Sequence, residues 1–162
     1  MKTFDLAIIE TGNGGDIQQK GNDLAIVNGV ENMIYLAMFG GNVEASTTAV
    51  ITQSQSFDFW GNTVFASNSP SQQFNSETER TINSVPLTSS GRVLIENAIK
   101  KDLSFFSELN AKVEVTVTIV ATDKISVKIK TTIDQPTITI INFRKSEDGD
   151  FFILDFNDDF FI

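Results

Sequence analysis

The sequence contains no cysteine and no histidine among its 162 residues. Without cysteine the chain has no disulfides, no thiolate nucleophile and no thiolate metal ligand, so packing alone holds its core, and the composition favours a cytosolic site of assembly. Without histidine, the usual general bases, nucleophile–base pairs and transition-metal ligand sets are also missing. We therefore expect no cofactor, no metal site and no enzyme activity.

Long apolar runs and positive charge are scarce as well. No stretch approaches the roughly 20 apolar residues that cross a bilayer, and the opening MKTFDLAIIETGNGGD carries acids too early for a signal peptide. Lys and Arg number 12 against 21 Asp and Glu, a formal charge of −9. Because phosphate binding depends on Lys and Arg, this balance disfavours nucleic acid as a partner. We expect a protein made in the cytoplasm that binds neither membranes nor nucleic acid.

Hydrophobic residues make up 41% of the chain and include fourteen phenylalanines, which predicts one domain over residues 1–162. Residues 42–90 are rich in Ser, Thr, Asn and Gln and show no sustained period. A loop of this length is commonly functional or ordered by a partner, with flexible surface as the alternative. Residues 155–162 form an acidic, Phe-rich tail that either folds onto its own domain or binds a partner.

Short elements are predicted in the first forty residues. Alternation of apolar and polar side chains predicts strands over residues 4–8 and 23–27, with a turn cluster at Gly12–Gly15 between them. Apolar residues at helical spacing then predict a helix over residues 30–39, which ends at Gly40 and Gly41.

The second half of the chain carries the clearest periodicity. An amphipathic helix is predicted over residues 92–108. Strict alternation predicts a β-hairpin over residues 113–129 with one dry face, a third strand over residues 137–143 and a final strand that begins near Phe151. The predicted apolar stripe of the helix comprises Leu94, Ile95, Ala98, Ile99, Leu103 and Phe106. The predicted fold is α+β, with two helices packed on a mainly antiparallel, partly mixed β-sheet.

An aromatic segment, SFDFWGN, contains the single tryptophan of the chain. Phe57, Phe59, Trp60 and Gly61 either clamp the polar loop onto the core or project as an interface anchor, since tryptophan is common in both settings. Apolar residues of the C-terminal tail are predicted to dock on a neighbouring subunit or partner. These docking residues are Phe156, Phe160, Phe161 and Ile162.

Carboxylates are the remaining candidates for chemistry. Glu77 with Glu79, or Asp58 beside Trp60, supplies acids for a glycoside hydrolase, but neither pair has a distinctive setting. Asp158 and Asp159 do not follow the spacing of a calcium loop. A different alternative is a carbohydrate- or surface-binding module, in which an exposed tryptophan stacks on a sugar and the polar loop supplies hydrogen bonds.

The order of segments resembles a known family. The strand-plus-helix DLAIVNGVENMIYLAMFGG, the patch DFWGN, and the helix LTSSGRVLIENAIKKDLSFF that leads into a Val-rich hairpin are similar to phage tail baseplate proteins of the Mu-like gp46 family, within the broader gp25-like wedge group. In that family an aromatic-Trp-Gly motif lies between two helices, and Phe59, Trp60 and Gly61 match it. The resemblance covers roughly residues 16–129.

The resemblance implies a non-enzymatic structural component of a contractile tail or related injection machine. Such a protein joins wedge subunits or the first sheath ring around the tube. The implied partners are other baseplate wedge, tube or sheath proteins, with homo-oligomers as a further option, and the implied location is the tail baseplate of the virion. Strand addition and aromatic anchors would supply its contacts.

Overall fold

The computed structural model describes residues 4–10, 15–40, 76–133, 136–146 and 151–159. The chain forms two compact units, Met1–Ser76 and Glu77–Ile162. A single domain over residues 1–162 stays a prediction.

Six short strands of the first unit pair into three separate two-stranded arms. Each arm is antiparallel: β1 pairs with β6, β2 with β3, and β4 with β5. The chain therefore leaves the first arm, traces two hairpins and returns to its starting strand, an arrangement that we call the cloverleaf. Its strands are β1 (Phe4–Leu6), β2 (Ile8–Glu10), β3 (Gly15–Ile17), β4 (Gln19–Lys20), β5 (Asp23–Leu24) and β6 (Ile26–Asn28).

A ring of three backbone hydrogen bonds joins the arms at the centre of the cloverleaf. The Ala7 N–H donates to the Ala25 carbonyl, the Ala25 N–H to the Gln18 carbonyl, and the Gln18 N–H to the Ala7 carbonyl, each at 2.9 Å. These three residues lie between strands, where a two-stranded ladder would leave their polar groups unpaired. In the ring the N–H and the C=O of each residue are hydrogen-bonded. The chain can therefore pass from one strand pairing to the next without leaving a backbone polar group unpaired.

Helix α1 (Gly29–Phe39) follows the last cloverleaf strand directly and packs against β1 and β6. Asn28 is its N-cap, since the Asn28 side chain accepts a hydrogen bond from the Val30 N–H at 3.2 Å. Eight of its eleven residues are buried, including Ile34 and Met38. The predicted helix over residues 30–39 is thus confirmed.

The two strands predicted for the first forty residues are each interrupted. Ala7 divides the first into β1 and β2, and Ala25 divides the second into β5 and β6. Both alanines belong to the central ring, where the strand leaves one partner for another. Gly15, assigned to the turn cluster, begins β3 instead. Alternation alone could not show these exchanges of partner, because the side-chain period continues through them.

The second unit is built on a four-stranded antiparallel sheet in the order β10-β9-β8-β7. The predicted hairpin and both later strands are confirmed. The strands are β7 (Lys112–Ala121), β8 (Lys124–Thr132), β9 (Pro136–Lys145) and β10 (Phe151–Asp159). Every pairing among the described residues is antiparallel, so the partly mixed sheet is a wrong prediction. The connecting segments 122–123, 133–135 and 146–150 are too short for the crossover that parallel neighbours require.

Two α-helices and a 3₁₀ helix accompany this sheet. They are α2 (Thr78–Ser84), α3 (Ser89–Asp102) and the 3₁₀ helix (Ser104–Leu109). Helix α3 packs on β7 and on α2. The described residues of the whole chain therefore hold three α-helices and one 3₁₀ helix, where the sequence predicted two helices. The fold class itself, mixed α+β, is confirmed.

The core of the second unit lies between α3 and the dry face of the sheet. Ile95, Ile99, Leu103 and Phe106 are fully buried, as the helical stripe predicted. Leu94, which was predicted to widen that stripe, is 54% exposed instead. On the sheet, paired rows such as Val117–Val127–Ile141 extend this core across three strands. Burial of each large apolar side chain contributes about 1.5–3 kcal/mol to the stability of this layer.

The second predicted helix differs from the structure at both ends. In the structure α3 starts at Ser89, because Thr88 is its N-cap and the Thr88 hydroxyl accepts the Gly91 N–H at 3.1 Å. Leu103 leaves the helical conformation, and the chain continues as a 3₁₀ helix. Asn110 is the C-cap of this 3₁₀ helix and adopts a left-handed conformation with φ 54°. Residues 42–90 were predicted to be irregular, but α2 and the start of α3, which lie within that range, are helical.

Candidate interaction surface

One side of the cloverleaf carries large apolar side chains that are exposed to solvent. Leu6 pairs directly with Ile26, so the two side chains share a face of the first arm, and Phe4, two residues from Leu6, lies on the same face. Leu24 lies two residues before Ile26. These four positions, Phe4, Leu6, Leu24 and Ile26, are called the cloverleaf face below; their exposed fractions are 73%, 38%, 48% and 66%.

The burial pattern shows which side of the cloverleaf is packed. Ala7 and Ala25 are buried, whereas Leu6, Leu24 and Ile26, which flank them along the chain, are exposed. Alternation therefore continues through the central ring, with alanines on the packed side and large side chains on the other. Since α1 packs on β1 and β6, the small side chains permit a close approach of that helix.

Asn32 fixes α1 to the cloverleaf at the central ring. Its side-chain Nδ2 donates to the Leu6 carbonyl at 2.6 Å, and its Oδ1 accepts the Ile8 N–H at 3.5 Å. Asn32 is itself buried. Because these bonds hold the backbone on both sides of Ala7, they determine which side of the arm turns away from the helix.

The second hairpin is closed by a turn that only its glycine allows easily. Gly21 has φ +67°, while Asn22 after it does not have a positive φ. This combination is typical of a type II′ turn, whose twist matches that of antiparallel strands. The turn sets the register in which Gln19 pairs with Leu24, and so places Leu24 on the cloverleaf face.

The positions in register with the cloverleaf face are uncharged, and the nearest carboxylates, those of Asp5 and Asp23, lie beside it and accept the Leu6 and Leu24 N–H groups at 2.8 Å. Asp5, Lys20 and Asp23 occupy the alternate positions of the strands, while Gln19 and Asn28 are the polar residues in register with the face. In the neighbouring arm Ile17, which pairs with Ile8, is also 48% exposed. The polar residues at the alternate positions are exposed as well, so the distinctive feature of this surface is the number of large apolar side chains that it leaves in water.

The β7 edge of the large sheet is closed by side chains from α3. The Glu96 Oε2 accepts the Val117 N–H at 3.4 Å, and the Arg92 Nη1 donates to the Val117 carbonyl at 3.3 Å. Arg92 and Glu96 also pair with each other at 3.1 Å, and Lys100 lies 2.6 Å from the Glu96 carboxylate. These donors, the Lys100 hydrogen bond foremost, lower the pKa of Glu96. The backbone N–H and C=O of Val117 are therefore not available to pair with another strand at this edge.

The other edge strand, β10, is anchored where it begins. The Phe151 N–H donates to the Asn83 side chain of α2 at 3.0 Å. From Asp155 to Asp159 the backbone pairs with β9, with Phe156 opposite Ile141. The first five residues of the predicted tail are therefore part of this strand. Docking of Phe156 on a partner stays a prediction, and Phe160, Phe161 and Ile162 lie outside the described residues.

A partly buried carboxylate joins the end of α3 to the start of α2. Asp102 accepts the Glu77 N–H at 3.0 Å, the Thr78 N–H at 2.8 Å and the Thr78 hydroxyl at 2.5 Å. Glu77 makes no side-chain cap for α2, so Asp102 caps that helix from outside. Burial raises the pKa of Asp102, against the opposing effect of these hydrogen bonds. The arrangement stabilises the helix pair.

The sequence-predicted acids and aromatics have different outcomes. Glu77 forms ion pairs with Lys101 and Arg80, at the start of α2. Phe57, Phe59, Trp60 and Gly61 lie outside the described residues, as does Asp58, so the clamp, the interface anchor and the sugar-binding tryptophan all stay predictions. The cloverleaf face, Glu96 and Asp102 were not predicted as functional or capping residues.

Within residues 4–10, 15–40, 76–133, 136–146 and 151–159, no group of three or more Asp and Glu side chains is placed to hold a metal ion. None of the helices in those same ranges is both long and apolar enough to cross a bilayer.

Comparison of the chain with protein-family models, with curated proteins and with solved structures gave no match. At the level of class, the fold and the cloverleaf face define a mixed α+β protein with an exposed apolar face.

Proposed function

We propose that this chain is a structural component of a contractile phage tail baseplate, or of a related injection machine, and joins wedge or sheath-ring subunits through protein–protein contacts. The observation that carries the proposal is the cloverleaf face. Four large apolar side chains are exposed on one face of the cloverleaf, opposite the side on which Ala7 and Ala25 are buried. Such a surface marks a place where another surface is buried. The function is assembly, with no chemical step.

The order of elements supports this particular kind of machine. Helix α1, then α3, then the Val-rich hairpin of β7 and β8 occur in the order on which the resemblance to the Mu-like gp46 family rests. We include a gp25-like fold in the proposal. The protein would be made in the host cytoplasm and incorporated into the tail baseplate, with wedge, tube or sheath proteins as neighbours.

The genes that flank this one give the first test. Neighbours that encode tail tube, sheath, spike and wedge proteins are the expected result. The full chain, co-expressed with the wedge and sheath proteins so identified, should then co-purify with at least one of them through size-exclusion chromatography. A neighbourhood of polysaccharide-utilisation genes would contradict the proposal and favour the carbohydrate-binding module, which glycan binding by the isolated chain would then test.

A further inference from the structure

We infer that the cloverleaf face binds the same face of a second copy of this chain, so that the protein self-associates as a twofold dimer before it joins larger assemblies. This inference rests on the proposed function for its biological meaning. It names the partner of the cloverleaf face, the surface on which that proposal is based. Its physical basis is independent of the machine, since it depends only on exposure, charge and area.

Charge selects the second copy from among other occupants. The chain carries a net charge of −9, yet Phe4, Leu6, Leu24 and Ile26 are uncharged, and so are Gln19 and Asn28, which pair in register with the face. A surface that binds a cationic partner carries acids in register with its apolar side chains. Here Asp5 and Asp23 instead occupy the positions of their strands that alternate with the face. Two copies can therefore meet through this face without opposing like charges directly, which their overall charge would otherwise penalise.

The exposed area also fits an interface between copies. The four side chains present on the order of 400 Å² of apolar surface, given about 150–250 Å² for a whole aromatic side chain. One side of a standard interface covers about 800 Å², of which about 65% is apolar in homodimers. The cloverleaf face thus supplies most of the apolar part of one small interface. Two such sheets can stack face to face, and the same residues meet on both sides of a twofold axis.

The test is sedimentation equilibrium of the purified full chain over a range of concentrations. Wild type should pass from monomer to dimer with a dissociation constant in the micromolar range, as expected for a small interface. The substitution Ile26→Asp should weaken dimerisation at least tenfold, because it places a charge in the centre of the face. The matched control is Val120→Asp on β7: Val120 is 64% exposed and Ile26 66%, so the two changes are alike in chemistry and exposure.

Salt supplies a second readout. Dimerisation through an uncharged face should strengthen as added salt screens the repulsion between two acidic chains, whereas an interface of ion pairs would weaken. If circular dichroism shows that Ile26→Asp disturbs folding, the variant Phe4→Ser takes its place and should likewise weaken the dimer.

Three results would overturn the inference: a wild-type chain that stays monomeric at millimolar concentration, a dimer that survives both face variants, or a dimer that Val120→Asp weakens as much as Ile26→Asp. Failure here is separate from failure of the proposed function. A monomer that co-purifies with wedge proteins refutes only the dimer. A dimer that ignores every tail protein refutes only the baseplate assignment.

Discussion

Gly91 stands in the first turn of α3, where the backbone of Pro86 lies against it. A β-carbon at this position would come 2.0 Å from the Pro86 carbonyl oxygen and 3.2 Å from its carbon. The obstacle is backbone, which cannot rotate away as a side chain would. The bend between α2 and α3 thus depends on a residue with no side chain.

We expect Gly91→Ala to destabilise the protein by about 1–3 kcal/mol, the usual cost of forcing extra volume into a packed site. The sign is informative, because the same change in an unhindered helix stabilises it by roughly 0.5–1 kcal/mol. Urea unfolding followed by circular dichroism measures the difference. Asn97→Ala, at an exposed position of the same helix, is the control and should be neutral or slightly stabilising.

At the scale of elements, the helix pair is held by one carboxylate. Asp102 at the end of α3 receives three donors from the start of α2, so a seven-residue helix with no cap of its own is stabilised by its neighbour. Short helices are marginal in isolation and depend on such tertiary contacts. The order of α2 is therefore tied to that of α3.

Asp102→Ala should destabilise the protein by about 1–3 kcal/mol, because buried donors at Glu77 and Thr78 lose their acceptor. Asp102→Asn should cost less, since the amide oxygen can still accept both donors of Thr78. Amide hydrogen exchange over residues 77–84 should speed up more in the alanine variant than in the asparagine variant. Equal losses in the two variants would mean that charge, and not hydrogen bonding, holds the helix.

The elements of the large sheet could be predicted from the sequence, because the signals that define them lie in neighbouring residues. Alternation over β7 and β8 and the turn at 122–123 are contained in adjacent residues, so pattern and structure agree. Helix α2 was missed because TERTINS has a short, weak apolar pattern and its cap lies some 25 residues away at Asp102. The edge closure by Arg92 and Glu96 was missed for the same reason, since Val117 is distant in sequence.

At the scale of the whole molecule, two carboxylates make stability depend on pH in opposite directions. The lowered pKa of Glu96 means that its contribution is present above 4.5 and is lost as the pH falls through its folded value. The raised pKa of Asp102 means that the folded state holds this proton more tightly. Its contribution is present below 3.8 and is lost as the pH rises through the folded value.

Glu96→Gln and Asp102→Asn should therefore alter the pH profile with opposite signs. The advantage of wild type over Glu96→Gln should shrink on acidification below 4.5, as the wild-type carboxylate takes up its proton. Relative to Asp102→Asn, wild type should instead gain stability as the pH falls. Urea unfolding at a series of pH values between neutrality and the acid transition measures both differences, with Glu108→Gln at an exposed site as control. Parallel shifts in the two variants would contradict the assignment.

Composition and local pattern were sufficient for the fold class, the amphipathic stripe of α3, the Val-rich hairpin and the expectation of a protein that works by contact, because each rests on neighbouring residues or on totals. The cloverleaf face required the tertiary structure. Phe4, Leu6 and Ile26 alternate visibly, but period-two alternation only divides a strand into two sides and does not say which is buried. That choice was made by α1, which packs on β1 and β6, is joined through Asn32 to the backbone on both sides of Ala7, and leaves the larger side chains in water.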